Sequence, residues 1–533
     1  MSEDARVHAL IVGRFGLFGP GRTRVDLGRL ATALASERPP VVVTVPDNLG
    51  TSETRSLAVG PKRLKDLSLA GVTDCVPDLS ALAALRDALG HADVALRPAP
   101  EEVAERIQAI VGTGSLLDAA RAQVGGAKST AAPPVAAGAS LLDAVLSATP
   151  AAPRPPDAVS SVIASLRGSA TVSPEVAKQQ RALHRLIDDR LALTGADVLR
   201  APAVAALEAA WRGLKLVLDE CTEGSGIGVD VLELDGADIA AEIEAAIPDD
   251  AMERPDFIVV ADALSTLAPL AKLADLAETL NAPTIAALDP TALGADDASQ
   301  LALRWEEGAL PEAYQALRDD RAARWLFLTT NPVLTVAEGA GAARRLVGSS
   351  PALALGAMLL RSYRLTGAFA RIGSGWHSPA VHVPSAGPAQ GSSIPTAAFV
   401  SAKSQGILGG RGLVAMGSAR GADEVRIPTV VSCSSAPDAV PIPAQILTGR
   451  IVRMAQWIRD QLPPDADDEL ARSLFEQAAS ILMFPGLGEA ASVEGKIVRD
   501  DPGVGPTLVV KAQAHPSIAG VTLQVAFGLA LPR

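Results

Sequence analysis

The chain has 533 residues, and at roughly 150 residues per domain that length suggests about three to four domains, which excludes a peptide or miniprotein. Hydrophobic residues make up 48% and charged residues 20%, as in ordinary globular proteins, but 9 Phe, 5 Trp and 2 Tyr are only 3% of the chain, so cores of Ala, Val and Leu are expected. A net charge of −13 opposes a chain-wide grip on nucleic acid phosphates or on an anionic membrane.

Taken in order, Met1-Ser2-Glu3-Asp4 opens without the basic segment and apolar stretch of a signal peptide. Residues 7–13 and Pro40 to Val45 read as short buried strands, with Val25, Leu27, Leu30 and Leu34 on a helix between them. Further helices follow Pro77 and Glu101, so residues 1–112 are expected to form a small α/β domain. Residues 113–138 hold a helix and a linker, Gly125 to Gly138, whose composition has no periodicity and little to bury. The run Ser-Leu-Leu-Asp-Ala at Ser115–Ala119 recurs at Ser140–Ala144, within residues 139–172, which also carry a Pro-rich patch, Thr149 to Pro156.

Ser173-Pro174-Glu175 is a strong helix start, with an N-cap serine, proline at the first helical position and an acid at the positive end of the dipole. A second helix carries Leu207, Trp211, Leu214 and Leu218 on one face. Strand-like segments at Gly228–Leu234, Phe257–Ala261, Thr284–Leu288 and Trp325–Thr329 alternate with helical tracts, so residues 173–390 are expected to be an α/β core on a largely parallel sheet. Pro351 to Leu360, the longest apolar run, is about half of the ~20 residues a spanning helix needs and meets Arg361, so it reads as a buried helix. Residues 391–533 change character: short strands are expected at Ala397–Val400, Gly412–Ala415 and Val425–Ser432, a helix from Pro443 to Leu462, and a terminal pair at Thr507–Ala512 and Thr522–Leu529.

No segment carries convincing chemistry. Gly13-Arg14-Phe15-Gly16-Leu17-Phe18-Gly19 follows a strand but fits no phosphate-loop spacing, and reads as a structural turn; Gly406 to Gly412 reads as a loop between strands. His377 and His382 lack a third ligand, so no metal is expected. Gly373-Ser374-Gly375 lacks nucleophile-elbow spacing and Cys433 has no evident base, while Asp188-Asp189, Asp319-Asp320 and Asp467-Asp468 read as solvated faces. Cys75, Cys221 and Cys433 are odd in number and form no C-x-x-C pair, which disfavours a disulfide framework and points to the cytoplasm. Neither a catalytic residue nor a cofactor is expected, and the weight moves to assembly or binding.

Ala201-Pro202-Ala203-Val204-Ala205-Ala206-Leu207-Glu208-Ala209-Ala210-Trp211-Arg212-Gly213-Leu214 resembles the H-P-x-F-x-x-L-E-x-x-W-R-G-L signature of the large sheath subunit of type VI secretion systems (TssC). Its core residues Leu207, Glu208, Trp211, Arg212, Gly213 and Leu214 are intact, although Val204 replaces the Phe and Arg200-Ala201 stand where His-His is usual. Asn281 to Ala287, Leu317 to Leu328, Pro395-Thr396 and Lys511 to Leu523 resemble further segments of that subunit in the same order. Leu10 to Phe15, Val45 to Leu49 and Val76 to Leu82 are similar to the small sheath subunit (TssB), with only Met1 to Arg6 ahead of the first strand.

The resemblance implies a fused protomer that polymerises into a helical tube around an inner tube of Hcp-type rings, joins a baseplate and contracts to drive the inner tube outward. It also implies a ClpV-type AAA+ ATPase that grips a helix near the large subunit's N-terminus. Ser140 to Leu146 occupies that place; Leu141, Leu142, Val145 and Leu146 fit helix-in-groove anchors, and equally fit docking on the protein's own core. Thr507, Val509, Lys511, Thr522 and Gln524 mark strands that either add to a neighbour's sheet or close an internal hairpin. Two other readings stand beside the sheath: a non-contractile scaffold or adaptor of such an apparatus, and an enzyme with a pocket near Trp376 and His377.

Overall fold

The computed structural model describes residues 6–125, 173–372, 376–377, 394–419, 424–428, 430–463, 466–479, 490–499 and 506–531. The chain opens with β1 (Val7–Gly13) and β2 (Gly21–Arg24), a helix at Leu27–Ala35, and the hairpin β3 (Val41–Pro46) and β4 (Thr54–Val59). Four helices follow, Val72–Cys75, Pro77–Leu89, Pro100–Val111 and Ser115–Gly125. After residue 172 come two long helices, Pro174–Arg200 and Pro202–Leu218, the first capped by Ser173 as its sequence dictates.

An alternating run then supplies β5 (Ile227–Glu233), β6 (Phe257–Leu264), β7 (Thr284–Leu288) and β8 (Leu326–Thr330), with helices Ile239–Ala246, Ala268–Leu280, Ala298–Glu307 and Glu312–Asp319 between them. The pair β9 (Val333–Glu338) and β10 (Arg345–Ser349) leads into the buried helix Pro351–Thr366. Beyond it lie β11 (Trp376–His377), helix Ala402–Gly410, β12 (Leu413–Ala415), β13 (Gly417–Ser418) and β14 (Glu424–Arg426). Helices Ile442–Gln461 and Asp468–Ala478 then pack with β15 (Ala491–Val498), β16 (Thr507–Ala514) and β17 (Leu523–Ala530).

The central sheet has seven strands in the order β12-β8-β7-β6-β1-β5-β2. All neighbours in it are parallel except the edge strand β2, which runs antiparallel to β5. The first strand of the chain thus lies between β5 and β6, with Val7 opposite Ile227 and Ala9 opposite Phe257. Its alternation explains the position: Val7, Ala9 and Ile11 enter the core on one face, Leu10 and Val12 the core on the other. Val7, Leu10, Ile11 and Val12 are completely buried, and at ~1.5–3 kcal/mol each their burial amounts to roughly 6–12 kcal/mol. Divisions drawn along the chain at 112 and 173 therefore do not divide the core, because β1 completes a sheet whose other parallel strands come from residues 227–415.

A third core joins the helices of residues 442–478 to the three-stranded sheet β15-β16-β17. Phe475 is packed there against Gly495, where an added Cβ would come within 2.2 Å of the ring.

Three local expectations need correction. Residues 397–400 form no strand, because the Asn331 amide bonds both the N–H and the C=O of Ala398 at 2.9 Å and satisfies that backbone in place of a ladder. Gly406 to Gly410 lie inside helix Ala402–Gly410, where buried Leu408 and a Gln405 amide bonded to Ala415 O and Arg426 O override the poor helix propensity of glycine. The strand expected at 425–432 is reduced to Glu424–Arg426.

Candidate functional site

The six motif residues lie on helix Pro202–Leu218, and three of them, Glu208, Trp211 and Arg212, fasten the first 125 residues to the rest of the chain, Glu208 by way of Arg345. Trp211, 1% exposed, donates its indole N–H to Phe15 O at 2.7 Å, just beyond β1, while the Arg38 guanidinium stacks 4.8 Å above its ring. Gly213 lets helix Pro351–Thr366 approach, since a Cβ there would meet Leu353 Cδ1 at 2.5 Å. Leu214 is fully buried and Leu207 half-buried.

Glu208 is the centre of a buried ion network. Its carboxylate, fully withdrawn from solvent, accepts from Arg212 Nε at 2.7 Å and from Arg345 Nη1 at 2.5 Å and Nη2 at 3.2 Å. Arg345 also pairs with Glu338 and donates to Leu67 O at 2.8 Å, and Arg212 Nη2 reaches the same carbonyl at 3.1 Å. Glu338 accepts in turn from Leu69 N at 3.0 Å. Segment 64–69 is thereby held by side chains from residues 212, 338 and 345, the two arginines being fixed in turn by Glu208. Burial alone would lower the Arg345 pKa, but Glu208 and Glu338 together raise it, so the guanidinium stays charged in the interior.

Two further ion groups flank β1. Glu233 at the end of β5 turns its carboxylate into the loop after β1, where the N–H groups of Phe15, Gly16, Leu17 and Phe18 donate to it at 2.6, 2.8, 3.2 and 3.3 Å. Successive backbone N–H groups of this kind form an anion cradle, and here the protein's own carboxylate fills it. On the other end of the strand, Asp256 accepts from His8 N at 2.9 Å and from Arg453 Nη2 at 2.6 Å, tying β1 to helix Ile442–Gln461. Burial pulls the Arg453 pKa down to about 10 against the opposing pull of Asp256, which leaves it charged at neutral pH. Beside β2, burial would raise the Asp230 carboxyl, but the hydrogen bond from Arg24 and the charges of Arg22 and Arg24 hold it below the ordinary value.

Of the expected site residues, Leu141, Leu142, Val145 and Leu146 lie outside the described residues, as does His382. Trp376 and His377 form β11, which pairs with β14. Thr507, Val509 and Lys511 fall on β16, and both edges of that strand are taken, by β15 and by β17. Strand addition at those three residues is therefore closed within this sheet. Gln524 lies on β17, whose second edge has no strand partner among the described residues, and Thr522 just precedes it.

Arg345, Glu338, Glu233, Asp256 and Arg453 were not singled out from sequence. Each belongs to a contact across more than 130 residues, and no local spacing announces such a pair. The described residues hold no group of three or more His, Cys, Asp or Glu arranged to bind a metal, and no helix among them is long and apolar enough to cross a membrane.

No protein-family model and no curated protein matches the chain. Among solved structures it is similar to a chain of the contracted sheath complex of an extracellular contractile injection system, PVC, at 12% identity over 61% of this chain and 77% of that one, with a TM-score of 0.34. It is also similar to a chain of the anti-feeding prophage baseplate, at 13% identity over 61% and 78% with a TM-score of 0.34. A chain of that prophage's contracted helical sheath follows at 11% identity over 60% and 78%, with a TM-score of 0.33. Likeness at this level carries no argument about what the present chain does.

Proposed function

We propose that this chain is the protomer of a contractile sheath, with the small and large subunits of a type VI-like apparatus carried on one polypeptide. In this reading it catalyses no reaction and takes no cofactor. It stacks in the cytoplasm into a helical tube on a baseplate, around an inner tube of Hcp-type rings, and drives that tube outward by changing its packing. A ClpV-type AAA+ ATPase would recycle the contracted form.

The observation that supports this most is what the motif residues do. A protomer that transmits force along a tube must not part between its own segments, and Glu208, Trp211 and Arg212 join the small-subunit-like segment to the large-subunit-like one by a buried ion network and an indole hydrogen bond. The insertion of β1 into the middle of the sheet serves the same demand.

Tube formation also needs contacts that continue from copy to copy, and β17 is suited to one. It is an eight-residue edge strand, Leu-Gln-Val-Ala-Phe-Gly-Leu-Ala, with neither charge nor proline to block pairing. The strand at the opposite edge of the sheet, β15, carries Glu494 and Lys496. Ala526 and Ala530 are exposed on β17, so the double change Ala526→Lys and Ala530→Lys adds edge charges without disturbing the core. Velocity sedimentation of the full chain tests the reading: assemblies far larger than the 54.5 kDa protomer are expected, and the lysine pair is expected to abolish them. A single protomer boundary for the unaltered chain at all concentrations overturns it.

A further inference from the structure

A basic pocket lies at the surface end of helix Pro351–Thr366, far along the chain from the motif helix. The helix is buried through Leu360 and emerges in its last turn, where Gly367 takes a left-handed conformation (φ 71°) and turns the chain back. Ser362, 2% exposed, fixes the return: its hydroxyl donates to Ala368 O at 2.8 Å and accepts from Arg371 N at 3.0 Å. That latch brings Arg371 beside Arg361, and both line a cavity of about 210 Å³ together with Met358, Ser362, Leu365 and Ile372. Neither guanidinium has a hydrogen-bond or ion-pair partner among the described residues, whereas the adjacent Arg364 is paired with Glu220 at 2.7 Å.

Two cations lining one cavity, with no counter-charge paired to them among the described residues, repel each other, and a carboxylate placed between them removes that cost. The apolar part of the lining, with Leu365 at 62% exposure, suits an acidic group carried next to an apolar one. We infer that the Arg361–Arg371 pocket receives a carboxylate-bearing surface of a second copy of this chain. The composition of the chain favours that occupant: with 60 acidic against 47 basic side chains, a second copy offers carboxylates in excess over its own cations. A basic pocket that meets a different, acidic face of the next copy is a heterologous contact, the kind that repeats from copy to copy and builds an open helical array where its rotation does not close a ring. The inference rests on the self-assembly proposed above and names one of its contacts.

The test is light scattering of the full chain against concentration, at low and at high NaCl, for the unaltered protein, R361E/R371E and the milder R361Q/R371Q. The expected result is association that weakens with salt, at least tenfold weaker association for the glutamate pair and an intermediate loss for the glutamine pair, with unchanged circular dichroism in both. If the unaltered protein associates and both variants match it, the pocket inference is overturned while the assembly reading stands. If the unaltered protein never associates, both are overturned. Inorganic phosphate bound by the unaltered protein with no effect of either variant on association would assign the pocket to a free anion and overturn the contact between copies.

Discussion

Glu208→Gln is the sharpest single perturbation of the buried network. It keeps the side-chain shape but leaves Arg345, 2% exposed at its side chain, without its one fully buried carboxylate partner. Breaking a buried pair on one side costs about 3–5 kcal/mol in general. Here Glu338, 23% exposed, still faces Arg345, and Arg212, 20% exposed, can turn towards water, so the loss belongs at the lower end, about 3 kcal/mol. Arg345→Met strands the fully buried Glu208 with Arg212 as its remaining cation and should cost about the same. The double variant removes both charges, so its cost should fall short of the two single costs together by about 2 kcal/mol. Urea unfolding with a double-mutant cycle measures all three. A single-variant cost below about 1 kcal/mol, or a coupling below about 0.5 kcal/mol, would refute the claim that this network holds the two segments together.

Three other outcomes are expected. Gln179 Nε2 donates to the carbonyls of Gln123 and Val124 at 3.3 and 3.4 Å, so residues 125 and 173 leave from adjoining helices; cutting at a protease site inserted within 126–172 should leave both pieces co-eluting in gel filtration, and separation would show that the link is needed. Because the Asp230 carboxyl is held below its ordinary value, its contribution to stability is complete above the ordinary carboxylate range near pH ~3.9 and fades as pH falls through its lowered native pKa. Asp230→Asn should therefore flatten the acid limb of a stability-versus-pH curve, and an unchanged limb would contradict the pairing with Arg22 and Arg24. Burial pushes the thiols of Cys75, Cys221 and Cys433 up to about 12, so a thiol reagent at neutral pH should label the native protein slowly and all three on unfolding; fast native labelling would contradict that burial.

Local periodicity made much of the architecture legible. The helix start at Ser173-Pro174, the apolar face around Trp211 and the strands β5 to β8 all follow from spacing and capping. What spacing could not reveal is that β1 enters the sheet between β5 and β6, since parallel pairing across more than 200 residues leaves no local mark. The same limit hid Arg345, whose partners Glu208 and Leu67 stand 137 and 278 residues away. β15 was missed because its alternation, Val493, Gly495 and Ile497 inward, includes a glycine that only the packing of Phe475 explains. Of the scarce aromatics, Trp211, Tyr314, Phe15, Phe257, Phe327 and Phe475 are fully buried.

The most direct measurement on the central claim is electron microscopy of the purified chain, alone and with an Hcp-type protein, the inner-tube partner proposed above. Hollow helical tubes, present in two diameters corresponding to extended and contracted packing, are the predicted result. Isolated particles of a single 54.5 kDa chain at every concentration, with the Hcp-type protein present, would contradict it.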